Sequence, residues 1–411
     1  MERIPLNTFD LSVFIAYMVI TVALGFWVAG KQRKTTRGYF LGDKKLPWYV
    51  VATSMIAADI SSDDLIANAG GAFQFGIVVA AGSWNAWIIY TLLIWVFLPY
   101  YVRSGIYTMP QFLERRYNST CRYIFACSLV IGYIGAILGG TLYAGGLSLQ
   151  SLLGVDLTWA ILFFAVTTGA YTIYGGLTSA AWTDFLQVLL LLTAGILIPV
   201  LGLRAVGGLD ALMADAPQKF KIFLPATHER FPFTGVFTGF LTVGIWYSCT
   251  SQHMVQRVLG AKDEWHARMG VVGAGYLRII TPIFFVLPGV IAFKLFPALP
   301  RQDMAYLELV KTLIPTGLRG LILAGMAAAL MSNVSSVLNS ASTLVTMDLY
   351  KKLREAWMAR HPLSTLPITE TSAKPPASAG GTPTLDYERP DNATTTPSER
   401  ELVAFGRISG V

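Results

Sequence analysis

The sequence predicts an all-α protein that crosses a membrane many times, because its composition is apolar and its charges lie between apolar segments. Of the 411 residues, 54% are hydrophobic and only 13% are charged, whereas soluble domains average about 25% charged residues. The mean hydropathy is +0.54. The net charge of +7 comes from basic residues in short loops, which is typical of membrane topology. We therefore expect membrane lipid, and not nucleic acid, as a partner.

Nine apolar segments are long enough to cross about 30 Å of hydrocarbon. Their predicted ranges are 10–30, 48–75, 78–102, 122–150, 157–175, 182–203, 233–254, 270–296 and 316–349. The loop 31–45 is rich in Lys and Arg, and basic residues recur around 115–116, 262–268 and 351–354. The positive-inside rule places these four loops in the cytoplasm and the N-terminus outside. We expect an integral protein of the cell membrane, inner or plasma.

The end of the chain differs in composition from the rest. Residues 362–400 are rich in Pro, Ser and Thr, and we expect them to be disordered. The apolar residues at 402–403 are typical of the approach to a tenth helix. The predicted organisation is a transmembrane domain over 1–350 and a cytoplasmic tail or loop over 351–411.

The last predicted span carries a polar stripe. Ser332, Ser335, Ser336, Asn339 and Thr343 fall on one helical face. Such a stripe must face protein, water or an ion, because lipid offers no hydrogen-bond partners. Two interpretations remain open at this point: close packing between helices, or oxygen ligands for a hard monovalent cation.

Two spans contain polar interruptions. The second span carries Asp59, Asp63 and Asp64, and carboxylates in the middle of a span are costly. The seventh span has a polar, aromatic cluster at 244–252. Both patterns favour broken helices that line a cavity. Because each broken span comes first in its own run of spans, they suggest inverted repeats around a site near the membrane midplane.

Three motifs occur in order along the chain. They are YGGLTSAAWTDFLQ at 174–187, QR at 256–257 with GAK at 260–262, and AAALMS at 327–332 with LNSAST at 338–343 and MDLY at 347–350. In this order and spacing the chain resembles the sodium/solute symporters, which include the sodium–glucose cotransporters. The resemblance runs from about Phe9 to Tyr350 and resumes at 401–407.

This resemblance implies the LeuT-type fold, with one leading helix followed by two inverted repeats of five helices. The leading helix would be 10–30, the first repeat 48–203 and the second repeat 233–349. The second repeat would then be incomplete, and we expect a product truncated after the ninth helix.

The resemblance also implies a sodium site between the second and ninth helices. By motif match, its ligands are the backbone carbonyls of Ala57, Ile60 and Ala329 and the side-chain oxygen of Ser332. Asn333 stands where the family places a second hydroxyl. Sodium would be the coupling ion, and no other metal or cofactor is expected.

Asp184 resembles the family's acidic residue near the inner exit of the sodium path. Alternatively, Asp184 is a carboxylate at the membrane interface that pairs with a nearby Arg or Lys.

The sugar pocket of the family is less well matched. Asp64, Ser83, Arg278 and Gly244 replace other residue types there, whereas Tyr247, the aromatic gate that stacks on the sugar, is retained. The predicted substrate-binding residues are Asp59, Asp64, Asn68, Ser83, Trp246, Tyr247, Gln252 and Arg278.

The charges in this pocket allow three hypotheses. Asp64 and Arg278 could pair across the cavity, since each alone would be an expensive buried charge. The carboxylates could instead bind the hydroxyls of a polyol or sugar. In the third hypothesis, Arg278 binds a carboxylate of the solute.

The expected function is import of a small organic solute, most favourably a sugar or polyol, coupled to sodium and working by alternating access. The alternatives are a symporter for a small carboxylate, a solute sensor of transporter fold, and coupling to protons. An enzyme is not expected, because the His residues show no metal spacing and the polar residues form no recognisable nucleophile–base arrangement. The sequence does not predict the oligomeric state.

Overall fold

The computed structural model describes residues 6–31, 35–361 and 397–410, and all regular elements in these ranges are helices apart from one isolated bridge between Leu46 and Ala261. The helices of the first half are α1 (Thr8–Gly30), α2 (Thr36–Leu41), α3 (Trp48–Asp59), α4 (Ser62–Phe75), α5 (Ile77–Ser104), α6 (Met109–Arg116), α7 (Ser119–Gln150), α8 (Leu157–Gly195) and α9 (Leu197–Val206). Those of the second half are α10 (Leu209–Asp215), α11 (Phe233–Ile245), α12 (Gln252–Leu259), α13 (Glu264–Leu295), α14 (Ala305–Leu313), α15 (Arg319–Leu344), α16 (Lys351–Arg360) and α17 (Glu399–Ile408).

Six helical stretches among the described residues are long and apolar enough to cross a membrane, against nine predicted spans. The predicted spans 48–75 and 233–254 are each divided into two helices that are too short on their own. Two further predicted spans, 157–175 and 182–203, lie in one helical stretch, Leu157–Val206. The difference therefore comes from breaks and fusions of the predicted spans.

Gly176 divides that long stretch. A straight helix of 50 residues would be about 75 Å long, more than twice the hydrocarbon thickness. Gly176 has φ 55° and ψ −149°, outside helical values. A Cβ at this position would lie 2.3 Å from the carbonyl oxygen of Tyr39, so only glycine fits. Residues 176–181 lie between two of the predicted spans and were therefore predicted to connect them. That prediction is wrong for most of these residues, because the chain is helical again from Leu177.

The ninth predicted span continues beyond its expected end at 349. It passes through a π-helical turn, Val345–Tyr350, into α16, which ends at Arg360. The loss of apolar residues therefore does not mark the end of the helix. Pro362 follows two residues later, and the residue before a proline disfavours the helical conformation.

The predicted disordered segment 362–400 is only partly covered. Its residues 362–396 lie outside the described residues. The remainder does not fit the prediction, because α17 begins at Glu399 and the Ser398 side chain caps it by accepting from the Glu401 N–H at 3.2 Å. A serine followed three residues later by glutamate is a recognised signal for a helix start.

The four basic loops lie at one end of the helix bundle. Leu46 exchanges backbone hydrogen bonds of 3.1 Å with Gly260 and Lys262. Lys352 lies 3.4 Å from Glu114, and α17 joins the same end through its contacts with α2 and α16. This clustering agrees with the prediction that all four loops lie on the same side of the membrane.

Candidate functional site

The break in the second span frees backbone carbonyls for other partners. Ile60 has an extended conformation, with ψ 124°, between α3 and α4. The carbonyls at the end of α3 therefore lack helical partners. The Ser332 hydroxyl donates to the Ala57 carbonyl at 2.8 Å, and the Asn333 amide donates to the Ala58 carbonyl at 3.2 Å. The polar stripe of α15 thus meets the broken helix at its break.

Ser332 is the centre of a small cluster of oxygens. Its hydroxyl also donates to the Ala329 carbonyl at 2.9 Å, so oxygens from α3 and α15 converge. A narrow void adjoins them, lined by Ala57, Ile60, Gln187, Val188, Leu191, Ala328, Ala329 and Ser332. Neutral oxygens at the negative end of a helix dipole suit a hard monovalent cation. Four of the five predicted sodium ligands therefore lie around one void.

Asn333 and Gln187 depart from the predicted ligand set. The Asn333 amide oxygen accepts from Thr141 at 3.1 Å, and Asn333 does not line the void. It links α15 to α3 and α7. Gln187 does line the void, and its side-chain oxygen has no hydrogen-bond partner among the described residues. Its position at the end of the motif at 174–187 was the available signal for this residue.

Asp64 caps the second half of the broken helix. Its carboxylate accepts from the Ser61 N–H at 3.0 Å, and the Ser61 hydroxyl accepts from the Asp64 N–H at 3.4 Å. This reciprocal pair is a capping box, which satisfies two N–H groups at the start of α4. The Ser-x-x-Asp spacing at 61–64 is the signal for this cap in the sequence.

Arg278 forms an ion pair with Asp59, and both side chains are largely buried. The predicted pairing of Arg278 with Asp64 is therefore wrong. Asp59 is the last residue of α3, whereas Asp64 is turned toward Ser61 by the capping box. The break between them separates the two carboxylates, and Asp59 is the one that forms an ion pair with Arg278 of α13.

A cavity of about 490 Å³ lies beside the break. Five of the predicted substrate-binding residues line it: Asp64, Asn68, Ser83, Tyr247 and Arg278. Apolar side chains supply much of the remaining wall, among them Val79, Ile89, Phe240 and Val243. A cavity that combines apolar walls with convergent polar groups is the usual form of a small-molecule site.

Three predicted substrate-binding residues do not line this cavity: Asp59, Trp246 and Gln252. Asp59 is occupied by Arg278. Trp246 lies in a π-helical turn and is 46% exposed on the outside of the bundle. Gln252 is fully buried, and its side chain bonds the Met109 N–H at 2.9 Å and the Tyr107 carbonyl at 3.2 Å. In this conformation Gln252 closes the end of the bundle where the basic loops lie.

Arg230, Phe231 and Phe240 line the cavity but were not predicted. Arg230 and Phe231 belong to the predicted outer loop, just before α11 begins at Phe233. Arg230 and Phe231 were not predicted because they lie on a loop, and no motif or helical periodicity covers that loop. The aromatic and basic residues that directly precede a broken span were the available signal.

Asp184 and Arg257 form a fully buried ion pair with an N–O distance of 3.4 Å. Asp184 also accepts from the Ser54 hydroxyl at 2.6 Å. Arg257 donates to the His253 carbonyl at 2.9 Å and to the Ser336 hydroxyl. The predicted alternative for Asp184, pairing with a basic residue, is therefore present, with both side chains fully buried in the protein.

The rest of the polar stripe contacts α12. Gln256 donates to Thr343 at 2.8 Å and accepts from Ser340 at 3.1 Å, and Arg257 donates to Ser336. The same face of α15 therefore contacts one half of each broken span, α3 and α12. Helix packing accounts for most of the stripe, and Ser332 is the member that borders the void.

Several known proteins are similar to this chain in sequence. Residues 39–364 match the profile described as "Sodium:solute symporter family". The "Sodium/glucose cotransporter" of Vibrio parahaemolyticus is 34% identical over 378 residues, which cover 84% of this chain and 69% of that protein. The "Sodium/myo-inositol cotransporter" of Bos taurus is 33% identical over 404 residues, covering 87% of this chain. The chain spans only 56% of the length of that second relative.

A solved structure confirms the fold class. A Na⁺-coupled sialic acid symporter in a substrate-bound, outward-open state superposes with a TM-score of 0.82 at 23% identity. The match covers 98% of this chain and 78% of that one. The fold is therefore the all-α, LeuT-type fold of an integral membrane protein, and the relatives are transporters and not enzymes. Since the family profile matches most of its residues, this chain belongs to the sodium:solute symporter family.

Proposed function

We propose that this protein imports a small organic solute, most favourably a sugar or polyol, together with sodium across the cell membrane. The observation that carries the proposal is the joint position of two sites at one helix break. The oxygens around Ser332 and the cavity that contains Asp64 lie on either side of the α3–α4 interruption. The relatives named for glucose and myo-inositol support this solute class.

In this proposal the sodium ligands are the carbonyls of Ala57, Ile60 and Ala329 and the hydroxyl of Ser332. A bound sodium would link α3 to α15 and favour one arrangement of the broken helix. The oxygens there are neutral, so the ion would be bound without a compensating carboxylate and would be released readily. Asp184, buried beside Ser54 and Arg257, is the residue we propose along the inner exit path.

The cavity offers suitable chemistry for a hydroxylated solute. Asp64 and Asn68 provide acceptors, Arg278 and Ser83 provide donors, and the ring of Tyr247 provides a stacking surface. The cavity includes Arg230 of the loop that we predict to be extracellular. The end with the basic loops is closed, partly through an ion pair of 2.7 Å between Arg122 and Asp348. We therefore assign this arrangement to the outward-facing state, with the N-terminus outside.

Coupling to sodium provides enough free energy for uptake against a gradient. One sodium that moves inward across about 100 mV contributes about 2.3 kcal/mol. A tenfold sodium gradient adds about 1.4 kcal/mol. Together these allow about 500-fold accumulation of a neutral solute, since each 1.4 kcal/mol corresponds to a factor of ten.

Binding to the purified protein in lipid nanodiscs tests the proposed sites. Labelled D-glucose and myo-inositol are measured in sodium and in choline. We expect saturable binding that requires sodium, and a rise of about tenfold in the half-maximal sodium concentration for Ser332→Ala, which removes one polar ligand. Ser342→Ala is the matched control, because Ser342 is a buried serine of the same helix that bonds the Gly406 carbonyl of α17. Binding that is equal in choline would refute sodium coupling.

A further inference from the structure

The outer loop places a second guanidinium at the solute cavity. Arg230 and Arg278 both line the cavity. Arg278 is compensated by its ion pair with Asp59. In the part of the chain that the structure describes, Arg230 has no carboxylate within ion-pair distance. The cavity thus contains one arginine with a structural partner and one that is available to a ligand.

The position of Arg230 is held by its neighbours in the loop. The backbone N–H groups of Arg230 and Phe231 donate to Nδ1 of His228 at 3.3 and 3.0 Å. The rings of His228 and Phe231 pack edge-on against Phe75, the last residue of α4, with centroids 5.9 and 5.3 Å away. The loop is therefore anchored to the outer half of the broken helix, so that any movement of α4 carries Arg230 with it.

The guanidinium itself lies against an aromatic ring. Its central carbon is 5.8 Å from the centroid of the Phe75 ring, within the range of a cation–π contact. Besides this contact, the guanidinium has five N–H donors. Those donors form a planar fork that matches a carboxylate. Val79 and Phe240 lie in the same cavity wall, and apolar walls strengthen such a charge-assisted bond.

We propose that Arg230 binds a carboxylate of the solute, and that the preferred solute is a sugar acid rather than a neutral sugar. This inference rests on the proposed function, because it names the solute class of the same cavity. The hydroxyls of the sugar acid would bind near Asp64 and Asn68, and its carboxylate would lie toward the outer loop. One sodium and one carboxylate are also electrically balanced, so their import would transfer no net charge.

The test compares ligands that differ only in a carboxylate. Sodium-dependent binding of D-glucose and D-glucuronate, and of D-glucitol and D-gluconate, is measured with the full chain in nanodiscs. We expect each acid to bind about tenfold more tightly than its neutral counterpart, the factor typical of one charge-assisted hydrogen bond. Arg230→Gln should reduce this ratio to about one, and Arg230→Lys should restore part of it because it keeps the charge without the fork.

Lys221→Gln is the matched control. Lys221 is exposed on the same loop and does not line the cavity, so its loss changes the net charge equally and should leave the ratio unchanged. Neutral sugars that bind as well as the acids, or an acid preference that persists in Arg230→Gln, would overturn this inference while the proposed function stands. Sodium-dependent binding of none of the four ligands would overturn both.

Discussion

Arg278 on α13 is ion-paired with Asp59 at the end of α3, and not with Asp64 at the start of α4. The pair joins α13 to the first half of the broken helix, α3, and the capping box belongs to the second half, α4. Because both charges are largely buried, each depends on the other for compensation.

Removal of either charge should therefore destabilise the protein more than removal of both. We expect Asp59→Asn or Arg278→Gln to lower the free energy of unfolding by about 3 kcal/mol, the cost of an uncompensated buried charge. The double variant should recover part of this loss. Thermal unfolding in detergent gives the comparison, and Asp64→Asn serves as the control that leaves the pair intact. A double variant no more stable than the singles would contradict the pairing.

Gly176 should tolerate no side chain. We expect Gly176→Ala to lower the free energy of unfolding by about 2–3 kcal/mol, through its positive φ and a clash with the Tyr39 carbonyl oxygen. Gly105→Ala is the matched control, because Gly105 also has positive φ, 62°, but a Cβ there meets nothing within 4 Å. The control should cost about 1 kcal/mol. Equal losses in melting experiments would show that the contact with Tyr39 has no part in the kink.

Lys219 should stabilise the outer end of α4. Its ammonium donates to the carbonyls of Phe73 and Gln74, each at 2.7 Å, and lies 4.1 Å from the centroid of the Phe293 ring. Burial lowers the pKa of this ammonium, but two carbonyls at a helix C-terminus favour the charged form.

We expect Lys219→Met to cost about 1–2 kcal/mol, since two carbonyls lose a charged donor. Hydrogen exchange of the amides around Gly76 should accelerate at the same time. Lys221→Met, two residues further along the loop and exposed, should change neither quantity. Unchanged exchange in Lys219→Met would indicate that this contact does not hold the loop.

The docking of α17 should weaken in acid. Glu401 accepts from the Tyr350 hydroxyl at 2.6 Å and from Arg354 at 3.0 Å, and these interactions lower the pKa of its carboxyl. A carboxyl whose pKa is lower in the folded state adds stability above its unfolded pKa of about 4.3. That contribution is lost as pH falls through the lower, folded value.

Hydrogen exchange within Glu399–Ile408 should therefore report faster opening in mild acid than at neutral pH, after correction for the intrinsic pH dependence. Glu401→Gln should open more readily at neutral pH and lose most of this dependence, so that its opening approaches that of the wild type in acid. Glu355→Gln is the control, because Glu355 belongs to α16 and its nearest cation, Lys351, is 4.0 Å away. If the pH dependence of opening persists in Glu401→Gln, another titrating group causes it.

Sequence reasoning predicted the breaks in two spans because their cause is local. Carboxylates in the middle of a span cannot face lipid, so a break near Asp59 and Asp64 follows from composition alone. The partner of Arg278 could not be predicted in the same way. It depends on the position of the break, and a shift of one residue rotates a helix by about 100°.

Other features of the structure could not be predicted because they depend on tertiary contacts. Gly176, which is non-helical, lies directly against the Tyr39 carbonyl, and these positions are far apart in the sequence. Trp246 was grouped with Tyr247 as a pocket residue, but adjacent helical residues point in different directions and only Tyr247 lines the cavity. Arg230 lies on a loop without periodicity, so only the folded chain shows its position beside the cavity.

Sodium-driven uptake tests the central proposal most directly. The protein is reconstituted into liposomes, and labelled D-glucose, D-glucuronate and myo-inositol are followed under an inward sodium gradient or an equal choline gradient. We predict accumulation above equilibrium for at least one solute with sodium only, its loss in Ser332→Ala, and its retention in Ser342→Ala. Uptake that is the same in choline, or that Ser332→Ala leaves unchanged, would contradict a sodium site at the break between α3 and α4.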